Sequence, residues 1–148
     1  MKAVVQRVSR GEVRVDGEVV GRVGHGMVVL LGVLTGDGPE EARRLAAKLA
    51  GFRFFEDEGG RMNLAADQVG AGALVVSQFT LSADGRKGRR PSFDCAAAPE
   101  VAEPLYEAFC EHLRGAGLEV GTGRFGAAME VELVGDGPVT FVLEEAPA

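Results

Sequence analysis

Val134-Gly135-Asp136-Gly137-Pro138-Val139-Thr140-Phe141 decides how the C-terminal β structure of this 148-residue chain is laid out. Ahead of it, residues 129–134 (MEVELV) alternate apolar and polar; behind it, residues 139–144 (VTFVLE) do the same. Period-two alternation marks a half-buried strand. Gly/Asp-rich residues between two such runs predict a hairpin. Pro138 is out of place in that scheme. It gives up a backbone N–H where the return strand begins to pair, and Asp-Gly alone suffices for a tight turn.

Upstream the chain reads as β, then α, then β again. Residues 2–8, 11–17, 18–24 and 27–34 are short valine-rich runs separated by glycine, with Asp16-Gly17 and Gly24-His25-Gly26 as turn punctuation. After Gly38 the period changes. Ala42, Leu45, Ala46 and Leu49 share one helical face; Pro39 suits a first helical position, Glu40 and Glu41 favour the N-terminal dipole, and Gly51 ends the helix. Residues 52–64 predict a strand, a turn and a return strand. Residues 72–83 (GALVVSQFTLSA) are a near-continuous apolar run expected of a central strand. A loop over 83–99 precedes a second helix with Ala102, Leu105, Tyr106, Phe109 and Leu113 on one face, whose start Pro104 distorts or delays. No internal repeat, low-complexity segment or linker interrupts residues 1–148. The expectation is one sheet-dominated α+β domain with two substantial helices.

Composition narrows the function classes. With 46% hydrophobic and 26% charged residues the chain is of ordinary globular type. The opening MKAVVQRVS lacks the sustained apolar core of a signal peptide, and the longest apolar run, Met27 to Leu34, is too short to cross a bilayer. Cys95 and Cys110 have no CxxC spacing, which points to reduced thiols in a cytoplasm. A net charge of −6 argues against a general nucleic-acid coat protein and no DNA partner is expected, yet Arg86, Lys87, Arg89 and Arg90 fall within five residues. That cluster is either a solvated loop or a phosphate contact.

The chemistry is defined partly by what is missing. His25 sits in a Gly-rich turn and His112 late in a helix, and both read as solvated side chains. Two histidines with neither Cys pairs nor HExxH spacing do not build a zinc site, so no metal is expected. No GxSxG elbow, P-loop or GxGxxG after a strand is present, which disfavours a Ser-His-Asp hydrolase. Ser77, Gln78 and Thr80 bring hydroxyls and an amide to the end of an apolar strand. Either the strand simply surfaces there, or backbone N–H groups and hydroxyls converge on a carbonyl in an oxyanion-type pocket.

Six segments occur in order: Met1–Val8 (MKAVVQRV), Met62-Asn63-Leu64, Ser77-Gln78-Phe79-Thr80-Leu81, Arg90-Pro91-Ser92-Phe93, Thr122-Gly123-Arg124-Phe125 and Gly137-Pro138-Val139-Thr140. Together, and over essentially the whole chain, they resemble the D-aminoacyl-tRNA deacylases. One departure is visible: where the family carries Asn two residues before the glycine of Gly-Pro, this chain has Gly135. The resemblance implies barrel-like β-sheets, a homodimer with its active sites at the interface, and a cis Gly137-Pro138 peptide at a hairpin tip that projects into the partner's site.

It also implies the reaction, hydrolysis of the ester joining a D-amino acid to the terminal adenosine of tRNA, with glycyl-tRNA as a further substrate. Gln78, Phe79 and Thr80 are the implied catalytic residues, with the N–H groups around Phe79 and Thr80 polarising the ester carbonyl. Ser77, Phe125, Met129, Gly137 and Pro138 are the implied substrate contacts, Phe125 and Met129 lining the adenosine pocket. Arg86, Lys87, Arg89 and Arg90 are expected on acceptor-end phosphates. No cofactor is called for and no membrane partner is expected. The ester is already activated, so positioning and charge stabilisation replace a nucleophile-base pair, and the RNA's vicinal hydroxyl helps activate water. Thr80 as a covalent nucleophile lacks a base. A dimeric RNA-end-binding module without turnover is the alternative from another class.

Overall fold

The computed structural model describes all residues from Met1 to Ala148. Its elements are β1 (Lys2–Val15), β2 (Glu18–Val23), β3 (Gly26–Gly32), α1 (Pro39–Gly51), β4 (Phe55–Glu56), β5 (Met62–Leu64), β6 (Gly72–Ser77), α2 (Pro99–Gly115), β7 (Val120–Thr122) and β8 (Glu130–Glu144), with short 3-10 turns over Ala66–Val69 and Phe79–Ser82. The strands join in the order β2-β1-β3-β6-β7, with β8 on the free edge of β1; β4 and β5 form a separate two-stranded piece. β3, β6 and β7 are parallel, linked by crossovers that contain α1 and α2, and the remaining pairs are antiparallel.

Both faces of the central strands are covered. Ala3, Val5, Met27, Val29, Leu31, Ala73 and Val75 face the buried side of α1 and α2 in one core, while Val8, Val13, Val28, Leu74 and Val76 form a second core inside the curl of the sheet. Burial on both faces is why residues 27–34 and 72–77 read as continuous apolar runs. The curl brings β2 to β7, where Gly21 and Gly121 leave room: a side-chain carbon on Gly121 would lie 2.6 Å from the Arg22 carbonyl oxygen. The sheet is thereby nearly closed into a barrel.

β1 is a single strand rather than two. Gly11 reads as a break in the sequence but serves as a bend, because a Cβ there would sit 2.9 Å from Val28 Cγ2. One edge of β1 is shared by β3 and β2 in turn, and the other is covered along its length by β8. α1 begins and ends where expected, with the Glu41 carboxylate accepting from the Gly38 N–H at 2.7 Å. α2 begins at Pro99, so Pro104 sits in its second turn and does not delay the start. β6 is shorter than its apolar run suggests: it stops at Ser77, and Phe79–Ser82 coils into a 3-10 turn.

The C-terminal segment is not a hairpin. Thr140 to Glu144 pair with Gln6 to Lys2, and Glu130 to Gly135 pair with Arg14 to Val8, so β8 runs in one direction past Gly137-Pro138. Between Gly135 and Thr140 the register jumps, and Asp136, Gly137, Pro138 and Val139 bulge out of the ladder. The physical reason is local. Pro138 has no N–H to give β1, and Gly137 has φ +132°, which takes the backbone off the strand path without reversing it. The Gly137-Pro138 peptide is cis, as the resemblance implies.

Candidate active site

The end of β6 opens into a cavity of about 610 Å³ walled by Ser77, Gln78, Phe79 and Thr80 on one side and by Phe125, Ala127 and Met129 on another. The start of α2 closes it through Ala98, Pro99 and Ala102. The Gln78 N–H makes the last ladder bond, to Leu31 O at 2.8 Å, and the Leu81 N–H turns back to Gln78 O at 3.3 Å. Between these two, the N–H groups of Phe79 and Thr80 open the 3-10 turn and have no acceptor within it. Gly32 lets the turn lie this close to β3, since a Cβ there would stand 3.0 Å from Leu81 Cβ and 3.1 Å from the Gln78 carbonyl oxygen.

Side chains complete the donor set. Gln78 Nε2 donates to Thr80 Oγ1 at 3.0 Å, leaving the hydroxyl hydrogen of Thr80 free to point elsewhere. The Ser82 hydroxyl donates to the Phe79 carbonyl at 2.8 Å and pins the turn. Met129 packs beside Gly123, where a Cβ would come within 2.6 Å of its sulfur, and the Arg124 N–H points at the same sulfur from 3.4 Å. Phe125 leans on Tyr106, ring centroids 6.1 Å apart, and the Tyr106 hydroxyl donates to the Val75 carbonyl at 2.6 Å. Burial pushes the Tyr106 phenol well above its ordinary range, so it stays a protonated donor that braces the wall from behind.

No lining residue of this cavity is titratable. His25 and His112 are exposed elsewhere, and the more open cleft that His25 lines, about 810 Å³ with Arg22, Arg114 and Glu119, contains none of the candidate residues.

The remaining candidates are not brought into this cavity. Arg86, Lys87, Arg89 and Arg90 lie on an exposed loop closed by paired hydrogen bonds between Asp84 and Ser92, both 2.8 Å. Arg86 grips Asp84 at 2.7 Å, and its guanidinium holds that carboxyl below the ordinary carboxylate range. Gly137 and Pro138 are exposed at the bulge of β8 and line none of the cavity. The bulge faces Arg7 on β1, whereas Ser77 is level with Leu31 and hence Ala3. By strand geometry that is roughly 10–15 Å along the strands, plus three strand spacings of about 4.8 Å across.

One buried charge was not anticipated. Arg7 is 4% exposed and sits beneath the bulge. Its Nε donates to the Asp136 carbonyl at 3.3 Å and pairs with the Asp136 carboxylate at 3.2 Å; Nη1 donates to the Phe54 carbonyl at 2.9 Å, and Nη2 lies 3.6 Å from Glu56. A planar guanidinium with five donors can tie a bulge, a strand end and a second strand at once. The signal was available in the sequence: Arg7 occupies the inward parity of a strand whose other inward residues are Ala3 and Val5.

Fold and pocket together define an α+β protein with a cavity at the end of β6, lined by the Phe79–Thr80 turn on one side and by Phe125 and Met129 on another. Residues 4–144 match the family model described as D-Tyr-tRNA(Tyr) deacylase. The chain is 62% identical over 144 residues to the D-aminoacyl-tRNA deacylase of Anaeromyxobacter dehalogenans, covering 97% of each protein. It is 56% identical to that of Halalkalibacterium halodurans, covering 97% of this chain and 99% of the relative. Among solved structures, the c-Myc DNA Unwinding Element Binding Protein superposes with a TM-score of 0.91 at 42% identity, each chain covered in full. A probable eukaryotic D-amino acid tRNA deacylase shares the fold, with a TM-score of 0.83 at 20% identity over 97% of this chain and 98% of that one. The chain belongs to the D-Tyr-tRNA(Tyr) deacylase family, whose members are hydrolases acting on aminoacyl-tRNA.

Proposed function

We propose that this chain hydrolyses the ester bond of D-aminoacyl-tRNA, releasing tRNA and the free D-amino acid, and that glycyl-tRNA is a further substrate. The observation that carries the mechanism is the cavity itself: two backbone N–H groups without an intrahelical acceptor, and no titratable side chain in its wall. Such a site suits an ester that is already activated. The N–H groups of Phe79 and Thr80 polarise the carbonyl, Ser77 and Gln78 shape the strand end, and Phe125 and Met129 hold the adenosine. The RNA's vicinal hydroxyl takes part in activating water, and Thr80 binds rather than attacks.

The active unit in this proposal is a homodimer. Topology supports it, because the exposed bulge at Gly137-Pro138 lies too far from its own chain's cavity to shape it. Delivered to the cavity of a second copy, the bulge presents backbone and no side chain at Gly137. A wall of this kind stands where an L side chain would project and leaves a D side chain free, so selection is by exclusion. Glycine, with nothing to exclude, passes. Lys87, Arg89 and Arg90 meet acceptor-end phosphates, and Arg86 joins them by exchanging Asp84 for a phosphate oxygen. The setting is the cytoplasm, and no helix is long and apolar enough to cross a membrane.

The test is release of labelled amino acid from D-aminoacyl-tRNA beside the matching L-ester. Turnover of the D-ester with the L-ester spared is expected. Tight binding of both without turnover would return the chain to an RNA-end-binding module.

A further inference from the structure

We propose that Phe79 and Phe93 form a stacking platform for the base of the penultimate nucleotide of the RNA end, just outside the adenosine pocket. The inference rests on the deacylase reading, which supplies the RNA end, but it is separately testable. Of the eight phenylalanines only Phe79 and Phe93 are exposed, at 58% and 36%. They sit at the cavity wall with ring centroids 5.2 Å apart, edge to face at 65°. An edge-to-face pair leaves a ring face open, and base stacking on such a face is tolerant of sequence.

What lies beside the pair points to nucleic acid as the occupant. Phe93 follows Ser92, the residue that closes the basic loop onto Asp84. Within that loop Arg86 is spent on Asp84, while Lys87, Arg89 and Arg90 are exposed and have no carboxylate partner. A strand leaving the cavity therefore passes the aromatic pair and then three free cations. Aromatic platforms followed by a cationic track are how single strands are held. The tRNA terminus is such a strand, ending C-C-A, so the stacked base is a cytosine and the cations take the phosphates on its 5′ side.

The chain contains no tryptophan, which makes Phe93→Trp a single fluorescent reporter at the platform. This variant is titrated with adenosine, CpA and CpCpA, all unacylated. Its indole emission is expected to be quenched by CpA and CpCpA and unaffected by adenosine. In calorimetry the unmodified protein is expected to bind CpA about tenfold more tightly than adenosine, within the range of one stacked base. Phe93→Ala is expected to abolish that advantage and Phe93→Tyr to keep it. The inference is overturned if CpA has no advantage, if neither nucleotide binds, or if the advantage survives in Phe93→Ala. It also falls if the indole emission follows protein concentration rather than nucleotide, which would mean that a second copy covers the pair. A CpA advantage that depends on Phe93 in a chain without D-ester turnover would leave the platform standing and remove the deacylase reading; turnover without the advantage would do the reverse.

Discussion

The sheet is interrupted at two places, after Ser77 on β6 and after Gly135 on β8, and the two interruptions are built in opposite ways. At Ser77 the strand ends for good: the backbone coils into a 3-10 turn, its first amides point away from the ladder, and a cavity opens beside them. At Gly135 the strand leaves the ladder and resumes five residues later, away from that cavity. No charged side chain lines the cavity at the first interruption. The second stands on a buried guanidinium that holds Asp136 and the Phe54 carbonyl, with Gly137 and Pro138 exposed above it. One break supplies two backbone donors beside a cavity; the other supplies an exposed backbone surface with no side chain at Gly137 and no N–H at Pro138.

The difference is sharpest where a donor can be removed without touching the fold. Phe79 opens the 3-10 turn and Gln78 before it is extended, at φ −144° and ψ 94°, so proline fits at position 79. Against Phe79→Ala, which removes the same ring but keeps the N–H, Phe79→Pro is expected to lower kcat for the D-ester by about 100- to 1000-fold, the cost of one oxyanion donor. The melting temperature should hardly move, because that N–H bonds nothing in the turn. At the bulge the corresponding change is Gly137→Ala. Its Cβ would stand 2.7 Å from Val139 Cγ2 and 3.0 Å from Val139 N, at φ +132°, so the bulge must move. Displacement by about 1 Å costs on the order of 100-fold in rate, and D-over-L preference is expected to fall with it. Equal loss on both esters would deny the bulge any role in chirality.

Arg7→Ala probes what the bulge stands on. It strips a donor from Asp136 and leaves the Phe54 carbonyl unpaired, a loss of about 2 kcal/mol for charge-assisted bonds of this kind. Denaturant unfolding should register it, together with a drop in D-over-L preference. Arg7→Lys should recover only part, since one ammonium cannot span Asp136, Phe54 and Glu56. If preference stays intact while stability falls, Arg7 supports the sheet and not the site.

Much of this was legible in the residues, and what escaped has a physical cause. The periods of 42–49 and 102–113 mark two helices whose packing agrees with their pattern, and the polar end of the 72–83 run marks the cavity. Pattern fails at Gly11 and at Asp136-Gly137-Pro138, for one reason. A glycine in a β run signals a departure from the ladder without saying whether the chain turns back, bends or bulges. At Gly11 the answer depends on Val28, and at Gly137 on the pairing of residues on both sides with the same strand, β1. These are contacts between distant positions that no local window contains. Arg7 escaped because a charged residue in a strand reads as outward-facing unless its parity is followed.

The effect with least bearing on the two interruptions lies behind the cavity wall. Burial pushes the Cys110 thiol up from an ordinary value of 9.0 to about 11, with Arg114 pulling the other way. Below about pH 9 the thiol is protonated folded and unfolded alike, and its stabilising contribution is complete. Between pH 9 and 11 the unfolded chain releases a proton that the native state keeps, so stability declines as pH rises. The contribution at stake is about 3 kcal/mol, at roughly 1.4 kcal/mol per unit. Thermal melts from pH 8 to 11 should show the decline, and Cys110→Ala should flatten it; Tyr106, raised by burial as well, leaves a residual slope at the alkaline end.

The central claim is that one chain's bulge completes the other chain's cavity, and mixing two defective chains tests it directly. Phe79→Pro keeps its bulge and loses its pocket donor; Gly137→Ala keeps its donor and loses its bulge. Unfolded together in equal amounts and refolded, half of the dimers carry one chain of each kind, and each of these contains one cavity with an intact donor facing an intact bulge. Deacylation of the D-ester should return to about a quarter of the unmodified rate, with D-over-L preference restored, while each variant refolded alone stays inactive. Activity in the mixture no higher than the mean of the two variants alone, with mixed dimers present, would contradict the claim and confine each bulge to its own chain.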